Sequence, residues 1–331
     1  MTGGRGAVPG AEKMTDHEPS RPEPSHHKPS LHEPSRSSRR GFLRTAALLG
    51  AAVPLVAAGC STTDPEEERQ GGGTLARAKK DGKITVGFAN ESPYGFTDKD
   101  GKLTGEAPEL ARVVFKELGI GKVEGVNVDF GGLIGGLKAK RFDVIAAGMF
   151  VTPERCGEVA FADPDYVAKS AFMVPKGNPR GVHKFEDAAQ KKLKVGVLTG
   201  AVEGDYATRL GVSKGNLKTF PDQPSAFEGL KAGRVDCVAL TRISLNDLLS
   251  KHQGAGFEVT DAYVPVIGGK EQFGAGAFAF RKADTELIQA FNGKLAELRT
   301  GNRLLPIIQP FGFGPSELPG PNDTAARFCQ G

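Results

Sequence analysis

The sequence predicts an α/β protein built as two lobes, and three features lead there. Short apolar runs alternate with amphipathic stretches, this alternation occurs twice in succession, and the chain then returns to a strand-like start followed by helical spacing. From Lys83 the first series reads "ITVGFA", "APELARVVFKELGI", "VNVDF", "LIGGLKAKRF" and "DVIAAGM". That β-α-β-α-β order implies a mostly parallel sheet covered by helices on both faces. After "DPDYVAKSAFMVPKG" the logic repeats in "KVGVLTG", "AVEGDYATRLG", "NLKTF", "PSAFEGLKAGR", "VDCVALT" and "ISLNDLLSKH". The segment opening "GAFAFRKADTELIQAF" then packs back on the first unit. Lobe 1 is therefore expected over 76–168 plus 277–320, lobe 2 over 172–272, and a C-terminal tail over 321–331. The chain crosses between lobes near Ala168 to Ala171 and again near Phe273 to Ala277. Two short linkers side by side act as a hinge, and the cleft between the lobes is the default ligand site.

The first part of the chain reads as addressing rather than fold. Residues 1–37 carry "EPS"-type repeats and four of the six histidines, the composition of a disordered leader, and Met14 offers another start. Residues 38–60 combine a charged region, an apolar run of about 14 residues and a cysteine; a membrane span needs about 20. Arg39 and Arg40, with Phe42 and Leu43 behind them, resemble the twin-arginine export signal. "VAAGC" resembles the lipobox of bacterial lipoproteins, in which Cys60 is acylated; Ala57 departs from the usual leucine. Residues 61–75 are polar and Gly-rich, suited to a flexible tether. Together these predict an extracytoplasmic protein, lipid-anchored to the outer face of the cell membrane.

Charge and cysteine usage remove several classes of function. The formal net charge of +4 comes mostly from the leader, and a nearly neutral body without tryptophan gives no footprint for nucleic acid. Cys237 lies in the apolar run "RVDCVAL" and reads as a buried thiol, whereas Cys156 and Cys329 have polar flanks and are free to pair in an oxidising compartment. No Cys/His spacing suggests a metal, and no residue pattern calls for a cofactor.

The candidate site centres on "GMFVTPERC". Arg155 stands just beyond an apolar strand, where paired guanidinium donors suit a carboxylate; a surface ion pair with Glu154 or Glu158 is the plainer reading. Tyr94 in "ESPYGF", Phe130 after "VNVD", and Phe150 each follow a strand's C-terminal end, where α/β sheets bind ligands. Each read alone is better explained by core packing; three together at strand ends point to an aromatic box. Phe96, close to Tyr94, is expected to pack inward, and Asp143 and Asp236 to be structural.

"GKITVGFANESPYGFTDKDGKLTGEAPELA", "GLKAKRFDVIAAGMFVTPERCGEVAFADPDY", "KVGVLTG" and "GLKAGRVDCVALT" together resemble the extracellular solute-binding proteins that feed polar amino acid ABC importers, across most of 80–318. The resemblance implies a type II periplasmic-binding-protein-like fold: a hinged monomer that closes on one small solute and presents it to a membrane permease. In that family the arginine of "TPER", here Arg155, holds the ligand carboxylate. An aspartate that commonly holds the ligand ammonium is replaced by Thr241. With the carboxylate clamp kept and the ammonium clamp lost, the pattern is most similar to the ectoine and hydroxyectoine receptors of the family. The likeness matches Glu91, Tyr94, Phe130, Gly148, Phe150 and Arg155 from lobe 1 and Glu203 from lobe 2. It implies aromatic faces around a cyclic cation and carboxylates on its N–H groups. Val202 stands where a hydroxyl residue is expected, which leaves Thr199 or the amides of the following helix to supply that bond. Glu203 is equally readable as ordinary first-turn dipole chemistry, and Glu91 as a solvated loop residue. A polar amino acid or a betaine is the alternative solute. An enzyme resembling periplasmic dehydratases is a further reading, disfavoured because His183 and His252 fall away from the expected cleft.

Overall fold

The computed structural model describes residues 73–330; the expected export signal, Cys60 and nearly all of the expected tether lie outside the described residues. Lobe 1 opens with helix α1 (Thr74–Asp81), ended by Gly82 in the left-handed region, and strand β1 (Lys83–Phe88). A small hairpin, β2 (Phe96–Thr97) and β3 (Leu103–Thr104), leads into α2 (Glu106–Glu117) and the edge strand β4 (Lys122–Asn127). A single turn at Phe130–Gly132 runs into α3 (Leu133–Lys138), followed by β5 (Val144–Phe150), α4 (Pro153–Glu158), β6 (Ala160–Phe161) and β7 (Tyr166–Ala168). Lobe 2 holds β8 (Ser170–Pro175), α5 (Phe185–Gln190), β9 (Val195–Leu198), α6 (Val202–Arg209) and β10 (Leu217–Phe220). It continues through α7 (Gln223–Lys231), β11 (Cys237–Thr241), α8 (Arg242–Lys251), β12 (Phe257–Val259) and the hairpin β13 (Val266–Ile267) and β14 (Lys270–Glu271). The chain returns to lobe 1 through β15 (Gly274–Phe280), α9 (Thr285–Thr300), α10 (Leu304–Ile308) and α11 (Ala325–Gln330).

The sheets are less parallel than the sequence suggests. In lobe 1 the order is β4-β1-β5-β15-β6, with β7 also on β15; β1 runs parallel to β4 and β5, but β15 is antiparallel to all its neighbours. Lobe 2 has the order β10-β9-β11-β8-β12, parallel on one side and antiparallel where β8 joins β11 and β12. The cause is the crossing itself: a strand entering from the other lobe arrives without its own covering helix crossover, so it adds in the opposite sense. The strand expected at "VNVDF" is also displaced toward the N-terminus. Lys122–Asn127 pairs along β1 as a half-exposed edge whose outer face needs no apolar residues, and Phe130 is released to the turn beyond it.

Both faces of each sheet are covered, which is why β5 and β15 are buried almost throughout. In lobe 1, Leu110, Phe115, Phe278, Phe280 and Phe291 fill one face, and Leu133, Phe142, Ile145 and Phe161 the other. Asp143 accepts from Arg77, Arg281 and the Thr85 amide, and Asp236 from the Lys194 amide, so both tie strand onsets together.

Only Lys169 separates β7 from β8, and the return passes through Gln272 and Phe273 between β14 and β15. The crossings lie side by side, because β7 pairs with β15 and sets Ala168 opposite Gly274. The C-terminal segment ends in a helix, α11, joined to α4 by a disulfide between Cys156 and Cys329, with Cα atoms 5.7 Å apart. Cys237 is a buried free thiol. Among the described residues no helix is long and apolar enough to cross a membrane.

Candidate binding site between the lobes

The eight residues expected at the ligand site border one cavity between the lobes, closed here to about 30 Å³. Lobe 1 contributes Glu91 and Tyr94 from the loop after β1, Phe130 from the turn before α3, Gly148 and Phe150 from the end of β5, and Arg155 from α4. Lobe 2 contributes Glu203 from the first turn of α6 and Thr241 from the junction of β11 and α8. They converge because parallel strands that begin together also end together, so the loops that follow them meet at one rim.

Arg155 is set by local sequence. Thr152 caps α4, its hydroxyl accepting from the Arg155 amide at 3.2 Å, and Pro153 occupies the first turn, where no backbone donor is required. The helix thus turns the side chain inward to 9% exposure. One guanidinium nitrogen donates to Phe150 O at 2.7 Å, and the other crosses to lobe 2 and donates to Gly200 O at 2.9 Å. It lies 5.5 Å from the Phe130 ring centroid. Neither Glu154 nor Glu158 pairs with it, Glu158 being held by Lys138. Burial pulls the Arg155 pKa down while Glu203 pushes it back, and a guanidinium stays charged under such a shift.

The two carboxylates are buried, Glu91 at 8% and Glu203 at 3% exposure. Burial raises each pKa from the ordinary 4.5 to about 7. For Glu91 a 2.8 Å bond from Ser244 Oγ opposes the rise and repulsion from Glu203 adds to it. For Glu203 its own backbone amide and then Arg155 oppose the rise. Two carboxyl groups short of compensating charge in a dry site make a receptor for positive charge.

The aromatic wall is wider than the sequence indicates. Tyr94 stacks on Tyr166 at 5.2 Å and 25°, Phe313 meets both edge-on, and Phe150 sits 6.2 Å from Tyr166. The Tyr166 hydroxyl donates to Gly148 O at 2.8 Å. Gly148 has φ +62°, and a Cβ there would lie 2.5 Å from Tyr94 Cδ1, so only glycine lets the ring approach. Gly274 on β15 plays the same part beneath the Phe150 ring. Tyr166 escaped notice in the sequence because "DPDY" carries no polarity or spacing that separates a wall residue from a core one.

Two expectations are corrected, and a third residue has its hydroxyl engaged. Thr199 turns away, donating to Phe220 O at 3.1 Å, so it supplies no bond to the cavity. Phe96 is only partly buried and lies under Lys251 Nζ, 4.9 Å from its ring centroid, at the rim of a neighbouring groove rather than in the core. Thr241 borders the cavity, but its hydroxyl is occupied, sharing a 2.6 Å hydrogen bond with Tyr94 OH and accepting from the Ser244 amide at 3.1 Å. Behind it sit Ser244 and Gln223, buried polar residues that sequence reasoning passed over as ordinary helix positions. Among the described residues no cluster of three metal-ligating side chains occurs, and His252 packs at a tilt against Phe227 and does not border the cavity.

A family model described as bacterial extracellular solute-binding proteins, family 3, matches residues 84–314. The chain belongs to this family. Its two-lobed mixed α/β architecture is the type II periplasmic-binding-protein fold shared by the family's solved structures. A probable amino-acid ABC transporter periplasmic-binding protein of Sinorhizobium fredii is 35% identical, the match covering 77% of this chain and 86% of that one. The L-cystine-binding protein of Escherichia coli K12 is 28% identical over 81% of this chain and 95% of its own. Among solved structures, EhuB in complex with hydroxyectoine is 34% identical with a TM-score of 0.70, covering 77% of this chain and 97% of that one. This family 3 protein is thus a solute-binding protein of an amino-acid-type ABC importer, and its relatives work outside the cytoplasm.

Proposed function

We propose that the protein captures ectoine or hydroxyectoine and hands it to a membrane permease, without altering the solute. The observation that carries this reading is the composition of the buried site: one guanidinium, two carboxylates with raised pKa and an aromatic wall, with a hydroxyl already engaged by Tyr94 at Thr241. Arg155 takes the solute carboxylate in two charge-assisted bonds. The ring of a cyclic amidinium lies against Tyr94, Phe130 and Phe150, and its two N–H groups donate to Glu91 and Glu203. The bound cation favours the ionised form of both carboxylates, and the solute carboxylate pairs with the guanidinium. EhuB, solved with hydroxyectoine, supports the assignment by analogy. Because the lobes are shut to about 30 Å³, a ring enters only when they part, and binding proceeds by hinge closure over it. Through Cys60 the protein is held by lipid at the outer face of the cell membrane.

The second reading is a polar amino acid. The L-cystine binder among the relatives favours it, and so does a site bearing two carboxylates against one guanidinium. Calorimetric titration against ectoine, hydroxyectoine, glycine betaine, L-arginine and L-cystine decides. Tight binding confined to the ectoines is the expected result; heat only from an amino acid overturns it. Recovery of chemically unchanged solute after incubation checks that no reaction accompanies binding.

A further inference from the structure

We infer that Gln223 and Ser244 are positioning residues, a latch from lobe 2 that fastens the closed cleft to the Glu91 carboxylate and the loop carrying it. Gln223 opens α7 and is 3% exposed; Ser244, in the first turn of α8, is fully buried. The Gln223 amide nitrogen reaches Ser244 O at 3.0 Å and Ser244 Oγ at 2.8 Å within its own lobe, and Ser92 O at 2.9 Å across the cleft. Ser244 Oγ in turn donates to Glu91 Oε1 at 2.8 Å, again across the cleft. The hydroxyl that accepts from Gln223 therefore spends its one proton on Glu91. Each bond polarises the next, and the direction of donation favours the ionised carboxylate. At the rim Lys251 Nζ adds a bond of 2.5 Å to Ser92 Oγ.

Two features mark this as a closure device rather than general packing. The bonds join Ser92 and Glu91 of lobe 1 to Gln223 and Ser244 of lobe 2, so they form only when the lobes meet at this point. Buried amide and hydroxyl groups are costly without partners, so parting the lobes without water entering is disfavoured, and closing them gains the whole chain of bonds together. The latch holds the back of Glu91, leaving the cavity side to the solute. Its action on affinity rests on Glu91 being a solute contact, as proposed above, whereas its action on the 91–95 loop does not.

The test compares wild type with Gln223→Leu, Ser244→Ala and the double variant, using hydroxyectoine in rapid mixing. A latch that forms after encounter changes escape, not entry. Each single variant is expected to raise koff about tenfold, as loss of a charge-assisted bond or of its support implies. The association rate stays within about twofold and one solute is still bound per chain. The double variant falls short of the product of the singles because both act through one chain of bonds. If wild type ignores hydroxyectoine, L-arginine and L-cystine replace it; a raised koff with either keeps the latch and sinks only the solute assignment. Hydrogen exchange of the amides in the 91–95 loop at saturating solute gives a second readout, expected to speed severalfold in both single variants. Unchanged koff with unchanged loop exchange overturns the proposal, as does a loss confined to association rate or to the bound fraction.

Discussion

Arg155 and Phe150 are the residues on which solute recognition turns. Removing a buried guanidinium that partners a solute carboxylate leaves that carboxylate stranded, at a cost of about 2–5 kcal/mol. Arg155→Ala is therefore expected to weaken binding at least about 30-fold while the circular dichroism spectrum stays that of the folded protein. Phe150→Ala removes one aromatic face and should cost about 1–3 kcal/mol through lost cation–π attraction and lost packing; normal calorimetric affinity in either variant places the solute elsewhere. Glu91 and Glu203 make binding a proton-linked event. In the closed cleft their pKa values lie near 7, so both carry protons at pH 6 until a cation displaces them. Affinity should rise with pH up to about 7 and level off above it. Titrations at pH 6 in buffers of different ionisation enthalpy should report proton release that disappears by about pH 8.5. The sequence marks these residues because charge and aromaticity at strand ends are chemically conspicuous. It is silent about Tyr166, Ser244 and Gln223, whose roles come from which neighbours they meet.

At the scale of elements, the ligand-facing end of lobe 1 is shaped by β5 and β15. Gly148→Ala combines a strained positive φ with contact between its Cβ and Tyr94. It should cost about 1–3 kcal/mol in stability and push the Tyr94 ring into the cavity, which a lower melting temperature together with weakened binding would show. The helix α4 that presents Arg155 is short, and its neighbour Cys156 is fastened to α11 across 173 residues of chain. Cys329→Ser should destabilise the protein by about 2–4 kcal/mol, read as a lower denaturant midpoint. The strand and helix order was legible because apolar periodicity is local. The sense of β15 was not, because antiparallel addition depends on the direction from which the chain re-enters the lobe.

For the whole molecule, the buried carboxyl groups set an unusual dependence of stability on pH. Glu91 and Glu203 have folded pKa values near 7 against 4.5 unfolded, so the folded state binds more protons between those values. Their contribution is fully present below about pH 4.5 and fades as pH rises to about 7, each group losing at most about 1.4 kcal/mol over every tenfold fall in proton concentration. Glu106, buried beside Asp165 in lobe 1, acts in the same direction because burial and its neighbour raise its pKa. Differential scanning calorimetry of the solute-free protein should therefore show these groups lowering the melting temperature from about pH 5 to 7.5, and saturating solute should flatten the trend by favouring the ionised forms.

What the sequence determined by itself were the two lobes, the two crossings, the family and the chemical kinds of group at the cleft. Periodicity, turn residues and charged side chains after strands are properties of neighbours along the chain. Only the tertiary structure decided that Thr241 is engaged by Tyr94, that Thr199 turns away, that Tyr166 backs the aromatic wall, and that Gln223 and Ser244 reach across to Ser92 and Glu91. Each is a meeting between distant segments, set by how the lobes close and by the need to satisfy every buried polar group.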